Sequence, residues 1–306
     1  MKKRSLLKAV AGTGVLMAAI VFLYSCGSGG SKEPSMPAIE ITEIDEATLQ
    51  DVREAEKIFY SLPSPLESAM LVKSAGAEFN ETLLNPVSSA DRYSTNRAMA
   101  LNLGIYTCDL SFSSLYDQTQ LVIDYMNAAK KMADGLGILD AISEETIYRL
   151  EENVNNRDVI MDIVSETFLN SNSYLEDNEQ PAIASMVLVG GWMEGLYIAT
   201  QLVDMGDFDS DRLVGRIIDQ KLSVGIMLKL LADNNEHPAI DELIDSMASL
   251  KRIFDKINIS TTKITPEIDR ETNVTLLKSE ISSDMTPEIF TELATEVAKI
   301  RSSFVN

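Results

Sequence analysis

The chain is strongly acidic, which excludes two classes of partner. Among its 306 residues, 47 are Asp or Glu and 26 are Lys or Arg, giving a formal net charge of −21. Nucleic acids and anionic membrane surfaces are bound through clustered basic residues, and a field of this sign repels both. The length is sufficient for one large domain or two small ones with a substantial core.

The N-terminal segment, residues 1–25, has the pattern of a secretory signal peptide. Its basic residues all lie within Met1–Lys8, and Ala9–Ser25 carries no charge. Ser25 precedes Cys26, a junction similar to the bacterial lipobox, in which the leader is cleaved before a cysteine that is then acylated. Tyr24 departs from the small residue usual at that position. We therefore predict lipidation at Cys26.

An uncleaved membrane anchor is the alternative interpretation of this leader. Its uncharged run is short compared with the roughly 20 apolar residues of a membrane span, and it contains Gly12 and Gly14. These features favour a cleaved signal peptide over a permanent anchor.

Residues 26–40 are predicted to form the lipidated cysteine and a flexible tether. Gly, Ser and Pro dominate Gly27–Pro37, and too few apolar residues are present there to form a core. Residues 41–306 are predicted to form the folded domain. Cys108 is the other cysteine of the chain, so acylation of Cys26 would exclude an intrachain disulfide. We interpret Cys108 as a small buried hydrophobic residue.

The domain is predicted to be an all-α, multi-helical bundle of about ten helices, because apolar residues recur at helical spacing between capping signals. Ser64 and Glu67 form a capping box around Pro65, and Thr286-Pro287 opens the last helix in a similar way. The predicted helices are Asp45–Tyr60, Pro65–Asn80, Thr95–Asp109, Asp117–Asp134, Glu144–Asn155, Arg157–Leu175, Glu179–Met205, Asp211–Asp233, Pro238–Lys256 and Pro287–Phe304.

The segment Ile257–Ser283 differs in composition from the helices. Ile259–Ile264 and Asn273–Leu277 are rich in β-branched residues and are separated by Pro266. A short β-ribbon near the C-terminus is one interpretation of this segment.

The most apolar predicted helix contains Pro181–Val203, in which Glu194 is the single charge. We predict that this helix lies at the centre of the domain. Gly191, Gly195 and Ala199 recur every four residues, so one side of it allows another helix to approach closely. Membrane helix dimers use the same spacing, but a charge at mid-span favours core packing.

Two stripes of polar side chains interrupt apolar helices and form the candidate site. The first contains Asn102, Tyr106 and Asp109, and the second contains Glu194, Tyr197 and Gln201. Tyr116 and Gln120 are further candidates, four residues apart.

The stripes require partners, because a buried polar group without a hydrogen bond costs about 1–3 kcal/mol. We therefore predict that the two helices lie side by side. The stripes then either satisfy each other in a structural network or line a ligand pocket, and acid–base catalysis by the carboxylates is a third interpretation.

No metal site or cofactor is predicted. Asp207-Phe-Asp209-Ser-Asp211 resembles the start of a calcium loop, but Arg212 and Ile218 stand where that loop requires glycine and glutamate. We interpret the aspartates as an N-cap for the next helix. The single histidine, His237, excludes conventional zinc and di-iron motifs.

Three segments resemble a family of helical envelope lipoproteins from diderm bacteria that has no established activity. They are Ser61–Leu66, Leu101–Tyr106 with the following Asp109, and Gly190–Tyr197. The resemblance spans most of the predicted domain. It implies a helical fold and a lipid anchor, and it implies no catalytic residue.

These observations together predict a lipid-anchored cell-envelope protein of binding or assembly type, with the outer membrane as the favoured location. Its expected partners are the membrane, through the lipid, and an envelope protein or a small-molecule ligand; nucleic acid is not expected. The alternative is an envelope hydrolase that uses the buried carboxylates of Asp109 and Glu194.

Overall fold

Nine α-helices account for most of the described chain. The computed structural model describes residues 62–139, 142, 144–178, 180–234, 238–261, 265–269, 274–278 and 281–306, all within one compact unit that spans residues 47–306. The helices are α1 (Pro65–Ser74), α2 (Asn96–Leu115), α3 (Thr119–Gly135), α4 (Glu144–Glu152), α5 (Arg157–Asp177), α6 (Pro181–Gln201), α7 (Arg212–Ala232), α8 (Pro238–Phe254) and α9 (Pro287–Val305). The predicted all-α fold is confirmed.

Side-chain caps fix where several helices begin. The Ser64 hydroxyl accepts a hydrogen bond from the Glu67 N–H at 3.2 Å, and the Glu67 carboxylate accepts one from the Ser64 N–H at 2.7 Å. This is the predicted capping box. Thr286 caps α9 through Ile289 N–H at 3.3 Å, directly before Pro287.

Helices α2 and α6 are the centre of the domain and make its most extensive helix–helix contact. Two glycines permit this contact, and neither belongs to the predicted stripe of Gly191, Gly195 and Ala199. A Cβ at Gly104 would overlap the Val187 carbonyl oxygen, and a Cβ at Gly190 would overlap the Leu101 carbonyl oxygen. The two backbones therefore touch directly, which brings their side chains into common layers.

The predicted close-approach stripe on α6 is used by a different helix. A Cβ at Gly191 would meet Pro65, and a Cβ at Gly195 would meet Ser68, so α1 packs across this side. The remaining helices surround the central pair. Helices α3 and α5 pack against α2, α4 packs against α5, and α7, α8 and α9 form the other side of the bundle.

Helix α6 has the length and composition of a membrane span, with a mean hydropathy of 1.5 over its most apolar window. However, 83% of that window is buried by the rest of the protein. Its apolar character is thus explained by packing against α1, α2, α7 and α9.

A β-ribbon lies between α8 and α9 and confirms that interpretation of this segment. Its strands are β1 (Ile259–Thr261), β2 (Thr265–Asp269), β3 (Val274–Lys278) and β4 (Ile281–Ser283). They pair antiparallel, β1 with β4 and β2 with β3, so the chain runs out and returns as one interrupted hairpin.

Several predicted helix ends differ from the structure. Helix α1 ends at Ser74 rather than Asn80, because Gly76 adopts a positive φ of 95° and turns the chain. Helix α2 continues to Leu115 rather than Asp109, since the following serines and Phe112 are also buried. Helix α6 ends at Gln201 rather than Met205. The predicted helix Asp45–Tyr60 lies outside the described residues.

The contact between α2 and α6 predicts opposite effects for two glycine-to-alanine changes. Gly104→Ala should lower the free energy of unfolding by about 2–3 kcal/mol, because the new methyl group forces two backbones apart. Gly225→Ala in α7, where a Cβ would meet nothing within 4 Å, should raise it by about 1 kcal/mol through helix propensity. Urea unfolding of both variants measures the difference, and equal effects would contradict the close approach.

Candidate functional site

A buried ion pair joins two helices that are distant in sequence. The Arg301 guanidinium in α9 donates from Nε and Nη2 to the two carboxylate oxygens of Glu194 in α6, both at 2.8 Å. The Glu194 side chain is 0% exposed and that of Arg301 is 11% exposed. Burial disfavours the charged guanidinium, yet the Glu194 carboxylate outweighs this effect and raises the pKa of Arg301.

Asp109 extends this ion pair into α2. Its Oδ2 accepts a hydrogen bond from the Asn85 N–H at 3.1 Å, and its carboxyl group adjoins that of Glu194. Burial, followed by the Glu194 charge, holds the pKa of Asp109 well above its usual range. Its Oδ1 has no hydrogen-bond donor among the described residues. Because burial favours the neutral form of Asp109, its carboxyl group adds little charge repulsion beside Glu194.

Amide and phenol groups connect this cluster to the last turn of α9. Asn102 donates from Nδ2 to the Phe304 carbonyl at 2.8 Å, and its Oδ1 accepts from Asn85 Nδ2 at 3.0 Å. Tyr93 donates its hydroxyl proton to the Val305 carbonyl at 3.1 Å. Carbonyls at a helix C-terminus have no partner within the helix, and here the network supplies their donors.

The structure therefore brings five of the predicted residues together. Asn102, Asp109 and Glu194 belong to the network directly. Tyr106 donates its hydroxyl proton to the Pro86 carbonyl at 3.2 Å, and burial raises its pKa. Tyr197 joins through its ring, whose centroid lies 4.8 Å from the guanidinium carbon of Arg301.

The other three predicted residues lie outside the network. Tyr116 donates its hydroxyl proton to the Ala77 carbonyl. Gln120 is exposed and donates to Asp124 on its own helix at 3.0 Å. Gln201 is exposed at the end of α6, where it makes a 3.4 Å hydrogen bond to Thr200.

Three network residues were missed by sequence reasoning. Arg301 carried a usable signal, because it lies next to Ile300 on the apolar side of α9, where a charge requires a partner. Asn85 and Tyr93 lie between α1 and α2, beside the short 3₁₀ helices Glu81–Leu83 and Val87–Arg92, which are too short to give a periodic sequence pattern. No periodic signal could have placed them.

The network is closed to solvent, which limits its chemistry. Asn102, Tyr106, Asp109 and Glu194 are all 0% exposed. A general acid or base must come within hydrogen-bond reach of a substrate atom, and the hydrogen bonds of these groups go to Asn85, to Arg301 and to buried backbone carbonyls. The geometry is that of a structural network that fixes α2, α6 and α9.

An apolar cavity lies apart from this network, on the other side of α2. It has a volume of about 90 Å³ and is lined by α2, α3, α4, α5 and α6 and by the α3–α4 connection. Aliphatic side chains such as Leu103, Met126 and Val164 form most of its wall. Asp109 and Glu194 do not line it. The sequence analysis did not predict this cavity.

Four polar residues line the cavity: Thr107, Lys130, Thr167 and Ser171. Lys130 of α3 lines it while remaining exposed, so its charge lies at the solvent-facing rim. The Thr167 hydroxyl of α5 is buried and has no hydrogen-bond partner among the described residues. A largely apolar wall with a few polar groups is typical of small-molecule sites.

In the aspartate loop before α7, the Asp211 carboxylate accepts hydrogen bonds from two nearby backbone N–H groups. Asp211 Oδ1 accepts from Leu213 N–H at 2.8 Å, and its Oδ2 accepts from Asp204 N–H at 2.7 Å. The N-cap interpretation is confirmed. Within the described ranges no cluster of three or more potential metal ligands is found. His237 lies outside the described residues. The Cys108 thiol is buried, which raises its pKa.

The ion pair predicts a large cost for removing one partner. Glu194→Ala should lower the free energy of unfolding by about 3–5 kcal/mol, because Arg301 remains buried without a counter-charge. Gln201→Ala, on the same helix and exposed, should change it by less than about 0.5 kcal/mol. Urea unfolding at neutral pH measures both. A loss from Glu194→Ala of less than about 1 kcal/mol, the range of an exposed pair, would contradict the network.

The retained proton predicts a distinctive pH dependence. An unfolded Asp109 ionises near pH 3.8, whereas the folded protein keeps the proton, so unfolding releases a proton above that pH. The contribution of Asp109 is therefore fully present at acid pH and is lost as pH rises. Asp109→Asn retains a donor and an acceptor and should be at least as stable as wild type at neutral pH.

Urea unfolding between about pH 4 and pH 7 tests the predicted direction of the change in stability with pH. The stability advantage of Asp109→Asn over wild type should grow as pH rises, whereas Asp162→Asn, at an exposed position on α5, should follow the wild-type profile. Parallel profiles for Asp109→Asn and wild type would show that Asp109 is ionised in the fold.

Comparison of the chain with protein-family models, with curated proteins and with solved structures finds no match.

Proposed function

We propose that this chain is a lipid-anchored cell-envelope protein that acts by binding a ligand, with the outer membrane as its favoured location. The observation that carries the proposal is the apolar cavity of about 90 Å³ beside α2. A well-packed core contains few voids larger than a water molecule. A cavity with an exposed rim therefore supports a role in binding.

The buried network supports binding over the hydrolase alternative. A raised carboxyl pKa such as that of Asp109 is a common property of catalytic acids. Here burial and the adjoining Glu194 cause the rise, and both carboxyl groups are 0% exposed. Hydrolysis requires a substrate bond and a water molecule at these groups, and the closed packing argues against their access.

The anchor part of the proposal depends on the sequence alone. The basic and then apolar leader, the Ser25-Cys26 junction and the Gly- and Ser-rich segment 27–37 support a domain tethered to a membrane by lipid. The negative net charge supports a location where the protein is held by the lipid rather than by attraction to anionic head groups.

Acylation of Cys26 is tested by mass spectrometry of the mature N-terminus and by membrane fractionation. Cys26→Ser should remove the lipid and release the protein from the membrane fraction. Cys108→Ala, which removes the other, buried cysteine, should leave both properties unchanged. An unmodified Cys26, or a mature chain that retains Met1–Ser25, would contradict the anchor.

A further inference from the structure

We propose that the apolar cavity binds the hydrocarbon chain of a single-chain anionic amphiphile, with Lys130 pairing with its head group. This inference rests on the proposed binding function and names the ligand class. It follows from three observations: the chemistry of the cavity wall, the charge at its rim and the enclosure of the site by five helices.

The wall selects a hydrocarbon. Leu110, Ile138, Ile147, Leu150 and Leu175 contribute aliphatic surface from four different parts of the chain. Apolar cavities of this kind remain dry and accept apolar molecules. Burying hydrocarbon there removes it from water, and each buried methylene should tighten binding about fourfold.

The positive charge of Lys130 favours an anionic head group. Lys130 is the one charged residue among those that line the cavity. It is exposed and has no hydrogen bond or ion pair with any described residue. The neighbouring Lys131, in contrast, pairs with Asp91. A free ammonium group beside an apolar cavity complements a carboxylate or phosphate, in a protein whose charge otherwise repels anions.

The small size of the cavity favours a single chain. Its volume of about 90 Å³ lies between helices and opens to solvent at the rim that carries Lys130. An amphipathic peptide helix requires a groove that admits several side chains along its length. A flexible hydrocarbon chain can enter between α3 and α5, whose Ala129 and Ser171 are small residues of the wall.

Photolabelling tests the proposal on the full lipidated chain in phospholipid nanodiscs. The probe is pentanoate with a photoreactive diazirine in its chain, because a cavity of about 90 Å³ holds only a few carbon atoms. Cross-linked peptides are located by mass spectrometry. We expect labels on cavity-lining residues of α3 and α5. Ala129→Phe, which fills the cavity, should weaken labelling by at least about tenfold. Labels confined to other surfaces, or unchanged labelling of Ala129→Phe, would overturn the proposal.

The role of the charge has its own control. Lys130→Met should weaken labelling by the pentanoate probe about fivefold, the scale of an exposed ion pair, and should leave labelling by the uncharged pentanol analogue unchanged. Lys131→Met, at the adjacent position, should change neither. Because Lys130 is exposed, its substitution does not threaten folding. Equal loss of labelling by both probes, or no loss of pentanoate labelling, would overturn the assignment of Lys130.

Further experiments identify the source of the amphiphile and distinguish the proposed ligand from the proposed lipid anchor. A lysophosphatidate probe of the same chain length distinguishes a phosphate head group from a fatty-acid carboxylate, and labelling of the cavity by either supports the proposal. If Cys26 is acylated but the cavity takes no probe, the ligand class is wrong and the anchor stands. If the cavity is labelled in a protein that lacks the lipid, the anchor is wrong and the ligand site stands.

Discussion

The domain depends on a charge pair that is almost completely removed from water. Ion pairs in the core are tolerated only when both groups keep their hydrogen bonds, because desolvation costs several kcal/mol per ion. Glu194 and Arg301 meet this condition through two hydrogen bonds, and burial favours the neutral form of Asp109 beside them. The arrangement requires α2, α6 and α9 to be in their final positions together. Loss of any one of them leaves a polar group of the other two without a partner.

The polar network and the apolar cavity occupy separate parts of the domain. The polar network lies on one side of α2 and fixes the helices, and the apolar cavity lies on the other side and is lined by helices that do not join the network, such as α3 and α5. Changes in the cavity wall can therefore alter the shape of the cavity while the ion pair keeps the central helices in place. The close backbone contact at Gly104 and Gly190 supplies the rigid boundary between them.

Sequence reasoning was most successful where one helix supplied the whole signal. The apolar pattern of α6, interrupted by Glu194, identified the central helix, which packs against α2. The partner of its polar stripe is Arg301 of α9. Gln201 continued the same stripe but lies at the helix end, where packing stops. Periodicity specifies a side of a helix, but it does not specify how far along the helix the core extends.

The cavity and Arg301 could not be found by the same reasoning. A void arises from the fit of several helices, and the lining residues are ordinary core residues in sequence. Arg301 pairs with a residue 107 positions earlier, so its partner depends on topology rather than on local pattern. The same limitation applies to Asn85, which lies in a short connection that has no repeating sequence pattern.

The sequence separation of the network has a consequence for how the chain acquires its structure. Tyr93 contacts Val305 across 212 positions, and Asn102 contacts Phe304 across 202. During synthesis, α2 and α6 leave the ribosome well before α9, so Glu194 has no counter-charge in the incomplete chain. The central pair can collapse early, but it reaches its fixed arrangement only after α9 arrives. A chain that is threaded unfolded through a secretion channel would benefit from this delay, because a late-closing core keeps it competent for transport until passage is complete.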